Sequence, residues 1–319
     1  MRCRRLGTSG IDVSIIGLGG SVFGRHQTFT HYNDRKQTAA LIHHAADLGV
    51  NHLDTADMYA DGVSERYIGA AIAGRRDRFI VASKVGMPRT DGPSGDGLSR
   101  RRIMAGIEGT LGRLQTDYVD LYYAHRPDPA TPIEETVRAF DDLVRQGKVR
   151  HVGCSNFSRA QIEAAHGAAE SGGHGRFAVS QSPYNLFERS LEAEIAPCCA
   201  RHGMSIVAYA PLAQGVLTGK YRPGEPIRPG TRAWRNPSPN LAVYLRDDRL
   251  ETVQRLDAWA ADHGRRVGDL AVAWLLARPL VCSVLTAVTS RAQLEANVRA
   301  AAWELTPEHV REVGNLVPG

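Results

Sequence analysis

An eightfold alternation of short apolar runs and longer amphipathic segments constrains this chain more than any other feature. The apolar runs are rich in β-branched and aromatic residues, which favour strands, and helical periodicity occupies stretches between them. The predicted strands are residues 15–19, 51–55, 78–84, 118–125, 149–155, 176–182, 204–210 and 281–287. Eight strand-then-helix units without a linker predict an α/β chain folded as a closed (β/α)8 TIM barrel, with residues 1–319 forming one domain.

Two segments lie outside this repeat. The runs CRRLG and DVSII flank TSG near the N-terminus and predict a β-hairpin ahead of the barrel. A stretch rich in Pro and Gly, residues 214–240, predicts a long loop after strand seven. Beyond it, amphipathic segments predict helices at about 248–263, 267–277 and 291–301.

An open doubly wound sheet is the alternative architecture. The glycine pattern that marks its dinucleotide-binding turn is incomplete, because GLGGSV at 17–22 lacks the third glycine of G-x-G-x-x-G. GVLTGKY at 215–221 approaches a P-loop, but it has three residues between its glycines instead of four and Tyr221 where Ser or Thr is required. The closed barrel is therefore the favoured fold.

Polar residues at the predicted helix starts identify candidate caps. Asn33 or Asp34 is expected to cap the first helix, Ser64 the second and Ser158 the helix after the fifth strand, and a further helix is expected from Ser99. Each side chain would accept a hydrogen bond from a backbone N–H of the first helical turn.

Composition disfavours several classes of protein. Apolar residues make up 43% of the 319 residues, enough for a large core, and no apolar stretch approaches the ~20 residues of a membrane helix. The formal net charge is +5, but the basic residues are spread along the chain, so nucleic-acid binding is not expected. The N-terminus lacks the apolar core of a signal peptide, and a cytoplasmic location is expected.

Cysteine usage fits the same location. The five cysteines show neither a CxxC pair nor a Cys/His spacing typical of metal sites: Cys3, Cys154, Cys198, Cys199 and Cys282. We expect buried free thiols in a reducing compartment, and no metal site.

Ionisable residues end three consecutive predicted strands. Asp54 ends the second, Lys84 the third and His125 the fourth, while Tyr59 lies in the loop after the second. Active sites of such barrels lie where strands end and their loops begin, so all four side chains are expected at one rim. Taken singly, each has an ordinary alternative: a helix cap, a surface lysine, a turn histidine or a packed tyrosine.

Together the four residues predict acid catalysis at a carbonyl oxygen. An ammonium group near a phenol lowers the phenol pKa from its usual value of about 10, and a carboxylate holds the ammonium in place. Lys84 is one of only four lysines in an arginine-rich chain, and it is compact enough for this task. No protein nucleophile is evident, so a cofactor hydride is the natural electron source.

Motifs along nearly the whole chain resemble the aldo-keto reductase family. They occur in the family's order: LDTADMYADGVSERYIG, ASK, LYYAHRPD, VRHVGCSNFS, QSPYNLFER, YAPLAQGVLTGKY and QLEANV. The long loop with TRAWR at 231–235 is similar to bacterial members related to potassium-channel β-subunits.

The resemblance implies a role for each matching position. Tyr59 would be the general acid, Lys84 and Asp54 would tune it, and His125 would orient the substrate carbonyl. Ser155, Asn156 and Gln181 would hold the nicotinamide carboxamide, and Tyr209 would stack on its ring. The remaining matches are Pro211, Leu212, Gly215, Lys220 and Arg232 for the pyrophosphate and Thr289, Gln293 and Asn297 for the adenosine end.

The adenosine end departs from the family pattern. Thr289 stands where a basic residue often meets the 2′-phosphate, and Arg291 is a candidate substitute. NADPH is the expected cofactor, with NADH not excluded. Helix capping is the alternative role for Asn156, and an interior hydrogen bond is the alternative role for Gln181.

Three functions remain open from the sequence. The favoured one is NADPH-dependent reduction of an aldehyde or ketone, and the second is a regulatory or redox-sensing subunit that binds NADPH. The third is a Schiff-base lyase with Lys84 as nucleophile. The partner is a small carbonyl compound of unspecified identity, and the chain can form a homo-oligomer. Candidate pocket-wall residues are Phe23, His26, Trp234, Tyr244 and Trp303.

Overall fold

The computed structural model describes residues 1–25, 32–87 and 97–317. Ten strands occur in this part of the chain, and eight of them close into a parallel barrel. The strands are β1 (Cys3–Arg5), β2 (Asp12–Ser14), β3 (Ile16–Gly19), β4 (His52–Asp54), β5 (Ile80–Val85), β6 (Val119–Ala124), β7 (Val149–Ser155), β8 (Val179–Pro183), β9 (Ser205–Tyr209) and β10 (Val281–Thr286). The barrel order is β10-β3-β4-β5-β6-β7-β8-β9, which confirms the predicted (β/α)8 fold.

Helices surround the barrel on its outside. They are α1 (Arg35–Asp47), α2 (Val63–Ile72), α3 (Arg100–Leu114), α4 (Ile133–Arg145), α5 (Arg159–Gly172), α6 (Ile195–Arg201), α7 (Arg232–Arg235), α8 (Pro239–Ala242), α9 (Asp247–Asp262), α10 (Val267–Leu276), α11 (Arg291–Ala300) and α12 (Pro307–Leu316). Helix α6 follows the sixth barrel strand as the repeat requires, although no bounds were predicted for it, and α12 lies beyond the eight predicted units. The long predicted loop after β9 contains the one-turn helices α7 and α8.

The N-terminal hairpin closes one end of the barrel. Its strands β1 and β2 pair antiparallel, with Cys3 opposite Ser14 and Arg5 opposite Asp12. Leu6 and Val13 from this hairpin are fully buried in a cluster with inward-facing residues of β5, β6, β8, β9 and β10. Because the hairpin fills the end where the strands begin, the opposite end is left for a ligand.

The helix caps follow the sequence in most cases. Asp34 forms a capping box with Gln37, and Ser99 and Ser158 accept hydrogen bonds at the starts of α3 and α5. The prediction for Ser64 is wrong: a 3-10 turn leads directly into α2, and Gly62 occupies the cap position. Ser64 is fully buried and donates to the carbonyl oxygen of Gly20 at 2.9 Å instead.

Cysteine burial and helix length bear on two further predictions. Four cysteines are buried as expected, whereas Cys3 is exposed because it lies on the edge hairpin. None of the helices in the described ranges is both long and apolar enough to cross a membrane.

Candidate active site

Strained backbone marks the carboxyl ends of the barrel strands. Seven described residues other than glycine have positive φ, and six of them lie in the loops after β4, β7 and β9. They are Ala60, Asp61, Asn156, Ala210, Ala213 and Gln214. Left-handed backbone is costly for residues with a side chain and persists where the surroundings impose it, often at functional sites. The strained residues therefore lie at the same end of the barrel as the predicted catalytic residues.

Lys84 and Asp54 form a buried ion pair at this rim. Lys84 is completely inaccessible, and its Nζ donates to Asp54 Oδ1 at 2.5 Å and to the carbonyl oxygen of Thr55 at 2.8 Å. Burial alone would lower the pKa of Lys84, but Asp54 and Tyr59 outweigh it and raise the pKa above its ordinary value. Lys84 therefore carries its charge at neutral pH.

Tyr59 completes the arrangement from the loop after β4. Its hydroxyl lies 3.4 Å from Lys84 Nζ, and the ammonium lies 4.9 Å from the centre of the phenol ring. Burial raises the pKa of Tyr59 above its ordinary value, and Lys84 opposes that rise without reversing it. The expectation of a lowered tyrosine pKa is therefore wrong in this structure, because the loss of hydration outweighs the cation. The phenol is protonated at neutral pH.

His125 meets Tyr59 edge to face. The two ring centres are 5.9 Å apart and the ring planes are inclined by 81°. Burial, followed by the nearby cations Lys84 and Arg126, holds the pKa of His125 well below its usual range. Its Nδ1 is buried and has no hydrogen-bond partner among the described residues. A neutral imidazole with an unused polar atom is suited to bind a polar ligand group. Asp54, Tyr59, Lys84 and His125 are called the rim cluster below.

A second buried ion pair, missed at the sequence level, supports the loop that carries Tyr59. Asp57 is completely buried and accepts a hydrogen bond from Arg102 on α3. The backbone N–H of Asp57 also donates to the carbonyl oxygen of Lys84 at 3.2 Å. The only signal in the sequence was the acid two residues before Tyr59. Nothing there identified Arg102, 45 positions later, as its partner.

Four further predicted residues meet at the ends of β7, β8 and β9. Asn156 donates from Nδ2 to Ser155 Oγ at 3.0 Å and to the carbonyl oxygen of His125 at 3.0 Å. Tyr209 donates from its hydroxyl to Asn156 Oδ1 at 2.7 Å. Gln181 is buried and donates from Nε2 to Asp54 Oδ2 at 2.8 Å, which links it to the rim cluster. The interior hydrogen bond considered for Gln181 is therefore present.

The loop after β9 brings two cations together. Pro211 and Leu212 lead into a 3-10 helix in which Gly215 has a φ of 96°. A Cβ on Gly215 would lie 3.0 Å from Lys220 Nζ, so the missing side chain leaves room for that ammonium. Burial lowers the pKa of Lys220, and Arg232 lowers it further. We call Lys220 and Arg232 the basic arm.

The predicted adenosine end lies at the start of α11. The backbone N–H of Thr289 donates to Gln293 Oε1 at 2.8 Å. Ser290 caps this helix, Arg291 is exposed, and Asn297 is buried one turn after Gln293. The structure thus brings the three predicted residues to one helix and its preceding loop.

The proposed pocket walls are only partly supported. Phe23 is completely buried and cannot line an open pocket. Trp303 stacks on Trp259 at 6.1 Å between ring centres, so it belongs to a packed aromatic cluster. Trp234 is 57% exposed, and Tyr244 packs beside Phe187. His26 lies outside the described residues.

The fold and rim define a class: a (β/α)8 barrel enzyme with its ionisable groups at the carboxyl ends of the strands. Comparison with known proteins identifies the family. The model described as "Aldo/keto reductase family" matches residues 15–317. The chain belongs to the aldo-keto reductase family and is an NAD(P)H-dependent oxidoreductase of that family.

Several relatives match over almost the full length. A probable voltage-gated potassium channel subunit beta from Arabidopsis thaliana is 38% identical, covering 94% of this chain and 91% of the relative. The aldo-keto reductase YhdN of Bacillus subtilis is 33% identical, covering 99% and 94%. A solved aldo-keto reductase from Bacillus halodurans, in its holo form, is 30% identical with a TM-score of 0.80, covering 100% of this chain and 97% of its own.

Proposed function

We propose that this protein reduces an aldehyde or ketone to an alcohol with NADPH, with Tyr59 as the general acid. One observation carries the proposal: the Tyr59 hydroxyl lies 3.4 Å from a fully buried ammonium, which is itself held by Asp54. A protonated phenol with a fixed cation behind it can donate a hydrogen bond and then a proton to a carbonyl oxygen. Lys84 stabilises the phenolate that remains.

The residues present fit a nicotinamide dinucleotide. Arg232 lowers the pKa of Lys220, so the two cations lie near one another and a diphosphate would offset their repulsion. The buried Nδ1 of His125 is available for a hydrogen bond to a ligand at the rim. We assign the nicotinamide to Ser155, Asn156, Gln181 and Tyr209, the pyrophosphate to Pro211, Leu212, Gly215, Lys220 and Arg232, and the adenosine to Thr289, Gln293 and Asn297.

Each rim residue has a separate task in this proposal. The bound cofactor supplies a hydride to the carbonyl carbon. Tyr59 gives its proton to the carbonyl oxygen, and Lys84 lowers the energy of the phenolate as it forms. Asp54, fixed by Gln181, keeps the ammonium in place. His125 is neutral, so it orients the carbonyl by hydrogen bonding and does not supply a second positive charge.

The substitution Tyr59→Phe tests this assignment. It removes the acidic hydroxyl and keeps the ring, so kcat is expected to fall by about 10²–10⁴-fold while NADPH affinity changes little. Reduction is followed by NADPH absorbance, and affinity by NADPH fluorescence. Tyr67→Phe, on α2, is a control that should retain activity. Wild-type turnover in Tyr59→Phe would contradict the proposal.

A regulatory subunit that binds NADPH is the second candidate. The 38% identity to proteins named as probable potassium channel β-subunits favours it. Multiple-turnover assays with a panel of aldehydes and ketones separate the two functions. Tight NADPH binding without turnover on any carbonyl would favour the regulatory subunit.

A Schiff-base lyase is disfavoured by the electrostatics of Lys84. Its amine would have to be neutral to attack a carbonyl, but Asp54 and Tyr59 raise its pKa against the effect of burial. We further propose that residues 1–319 act as one domain, because the barrel and its hairpin share a continuous core.

A further inference from the structure

A cluster of metal-binding side chains lies between α5 and α6, on the outer ring of helices. Glu163, Cys198 and His202 each offer a ligand atom, and all three atoms lie within 4.8 Å of one another. The thiol of Cys198 lies 3.5 Å from Glu163 Oε1, and His202 Nε2 lies 2.8 Å from Glu163 Oε2. None of these residues has a role in the proposed reduction.

Helical spacing gathers these side chains on facing surfaces. Cys198 and His202 are four residues apart at the end of α6, so both point to the same side. Glu163 and His166 are three residues apart on α5 and share a face for the same reason. The two helices therefore bring Glu163, Cys198 and His202 together, an arrangement that sequence spacing alone does not reveal.

A buried histidine, His166, packs beside this cluster. It is 3% exposed, and neither ring nitrogen has a hydrogen-bond partner among the described residues. Its ring centre lies only 4.1 Å from that of His202. His166 is not one of the residues whose ligand atoms lie within 4.8 Å of one another, so it packs against His202 beside the cluster and is not counted as a ligand.

The types of ligand atom indicate which metal ions this cluster would bind. Imidazole, thiolate and carboxylate together suit Zn²⁺ and similar divalent transition metals better than Mg²⁺ or Ca²⁺, which prefer oxygen alone. Tetrahedral zinc with bonds of about 2.0–2.3 Å separates its ligand atoms by about 3.3–3.5 Å. The 3.5 Å between Cys198 Sγ and Glu163 Oε1 matches this, whereas the 2.8 Å between His202 Nε2 and Glu163 Oε2 would have to lengthen when the metal binds. The carboxylate of Glu163 and the thiolate of Cys198 together offset the charge of the ion.

Nearby cations would compete with a metal. Arg201 donates to Glu163 Oε1, and Arg159 also acts on the cluster electrostatically. Metal binding would displace Arg201 from that oxygen, and the Cys198 thiol would release its proton to solvent as the metal–sulfur bond forms. No oxidation or reduction is involved.

We propose that Glu163, Cys198 and His202 bind a zinc-class divalent ion that joins α5 to α6, with the fourth position open to solvent. The site is separate from the rim cluster and does not depend on the proposed reductase activity.

Cobalt provides the direct test. Full-length protein is stripped with a chelator and titrated with Co²⁺, and absorbance is recorded in the near ultraviolet. A sulfur-to-cobalt charge-transfer band saturating at one equivalent supports the proposal. Zn²⁺ is then titrated against a chromophoric chelator to give its affinity, and mass spectrometry counts the bound metal. Absence of the band, or binding far below stoichiometric strength, overturns the proposal.

Variants identify the ligands. Cys198→Ser is expected to abolish the band and to weaken zinc binding by at least about 10-fold, whereas the buried neighbour Cys199→Ser retains both. His202→Gln, read with the same titrations, serves if Cys198→Ser does not fold. Arg201→Ala is expected to strengthen zinc binding a few-fold by removing the competing cation. Equal loss of binding in Cys198→Ser and Cys199→Ser would refute the assignment.

Discussion

The rim cluster and the basic arm differ in how their charges are paired. In the rim cluster, the ammonium of Lys84 is paired with Asp54, and that carboxylate also receives a hydrogen bond from Gln181. In the basic arm, burial lowers the pKa of both Lys220 and Arg232, and the charge of Arg232 lowers the pKa of Lys220 further. The Lys84–Asp54 pair is satisfied within the protein, whereas the two cations of the basic arm would be favoured by a bound anion.

This difference predicts what each group contributes. A buried pair that is already satisfied is rigid, and removal of one member leaves an uncompensated charge. Two neighbouring cations at a partly exposed site are relieved when an anion binds, and their effect is screened by salt. We therefore expect the rim cluster to control chemistry and stability, and the basic arm to control affinity for the cofactor.

Lys84→Met should produce the largest effect. It leaves the carboxylate of Asp54 buried without its cation, which costs about 3–5 kcal/mol in the free energy of unfolding. Activity should fall by about 10²–10⁴-fold, because the phenolate of Tyr59 loses its counter-charge. Urea unfolding and steady-state kinetics measure the two losses.

Lys148→Met is the matched control for that experiment. Lys148 also pairs with a carboxylate, Glu108, but Lys148 is partly exposed and Glu108 is exposed. An exposed pair contributes no more than about 1 kcal/mol, so stability and turnover should stay near wild type. Similar losses in the two lysine variants would remove the distinction between buried and exposed pairs.

Lys220→Met should weaken NADPH binding and leave the chemistry intact. Loss of a charged hydrogen bond to phosphate costs about 1.5–3 kcal/mol, or about 10–100-fold in Kd. Turnover at saturating NADPH should stay close to wild type, and the salt dependence of binding should decrease. Fluorescence titrations at two ionic strengths measure both. A large loss of kcat at saturation would place Lys220 with the rim cluster instead.

The value of kcat/KM should fall only on the alkaline side of its pH profile. Tyr59 must be protonated to act as an acid, and burial raises its pKa. Activity is therefore fully present below that pKa and is lost as pH rises through it, above about 10. His125 stays neutral because burial and neighbouring cations lower its pKa, so no inflection is expected near pH 6.5. Measurement of kcat/KM against pH tests both statements, and an inflection near 6.5 abolished by His125→Asn would contradict the second.

Arg291→Ala should have the smallest effect. Arg291 is exposed at the first position of α11, so any contact with a 2′-phosphate is worth about 1 kcal/mol or less, up to about 5-fold in NADPH affinity. NADH affinity should not change. Arg299→Ala, on the last turn of the same helix, is the control. An equal loss for NADPH and NADH would assign Arg291 to another part of the cofactor.

Much of the fold followed from local sequence patterns. Periodicity of apolar residues predicted all eight barrel strands, and β7 occupies the predicted residues 149–155. The caps predicted at Asn33 or Asp34 and at Ser158, and the helix start at Ser99, were correct because a helix start involves only a few neighbouring residues. The cap at Ser64 failed because a loop shaped by tertiary contacts moved the start of α2.

The sequence predicted which residues meet at the candidate site but not their pKa values. Strand ends identified Asp54, Lys84 and His125, since parallel strands bring their ends to one rim. The sequence could not give the net pKa of Tyr59, because that depends on how completely the closed barrel removes water from the phenol.

The sequence by itself determined the order of strands and helices and the kinds of side chain at each strand end, because both depend on spacing along the chain. Only the tertiary structure decided which distant groups pair. Gln181 reaches Asp54 across 127 positions, and Cys198 reaches Glu163 across 35. Such pairs form when the barrel closes and its helices pack, since burial and distance, which set the energies of charged groups, exist only in the folded chain.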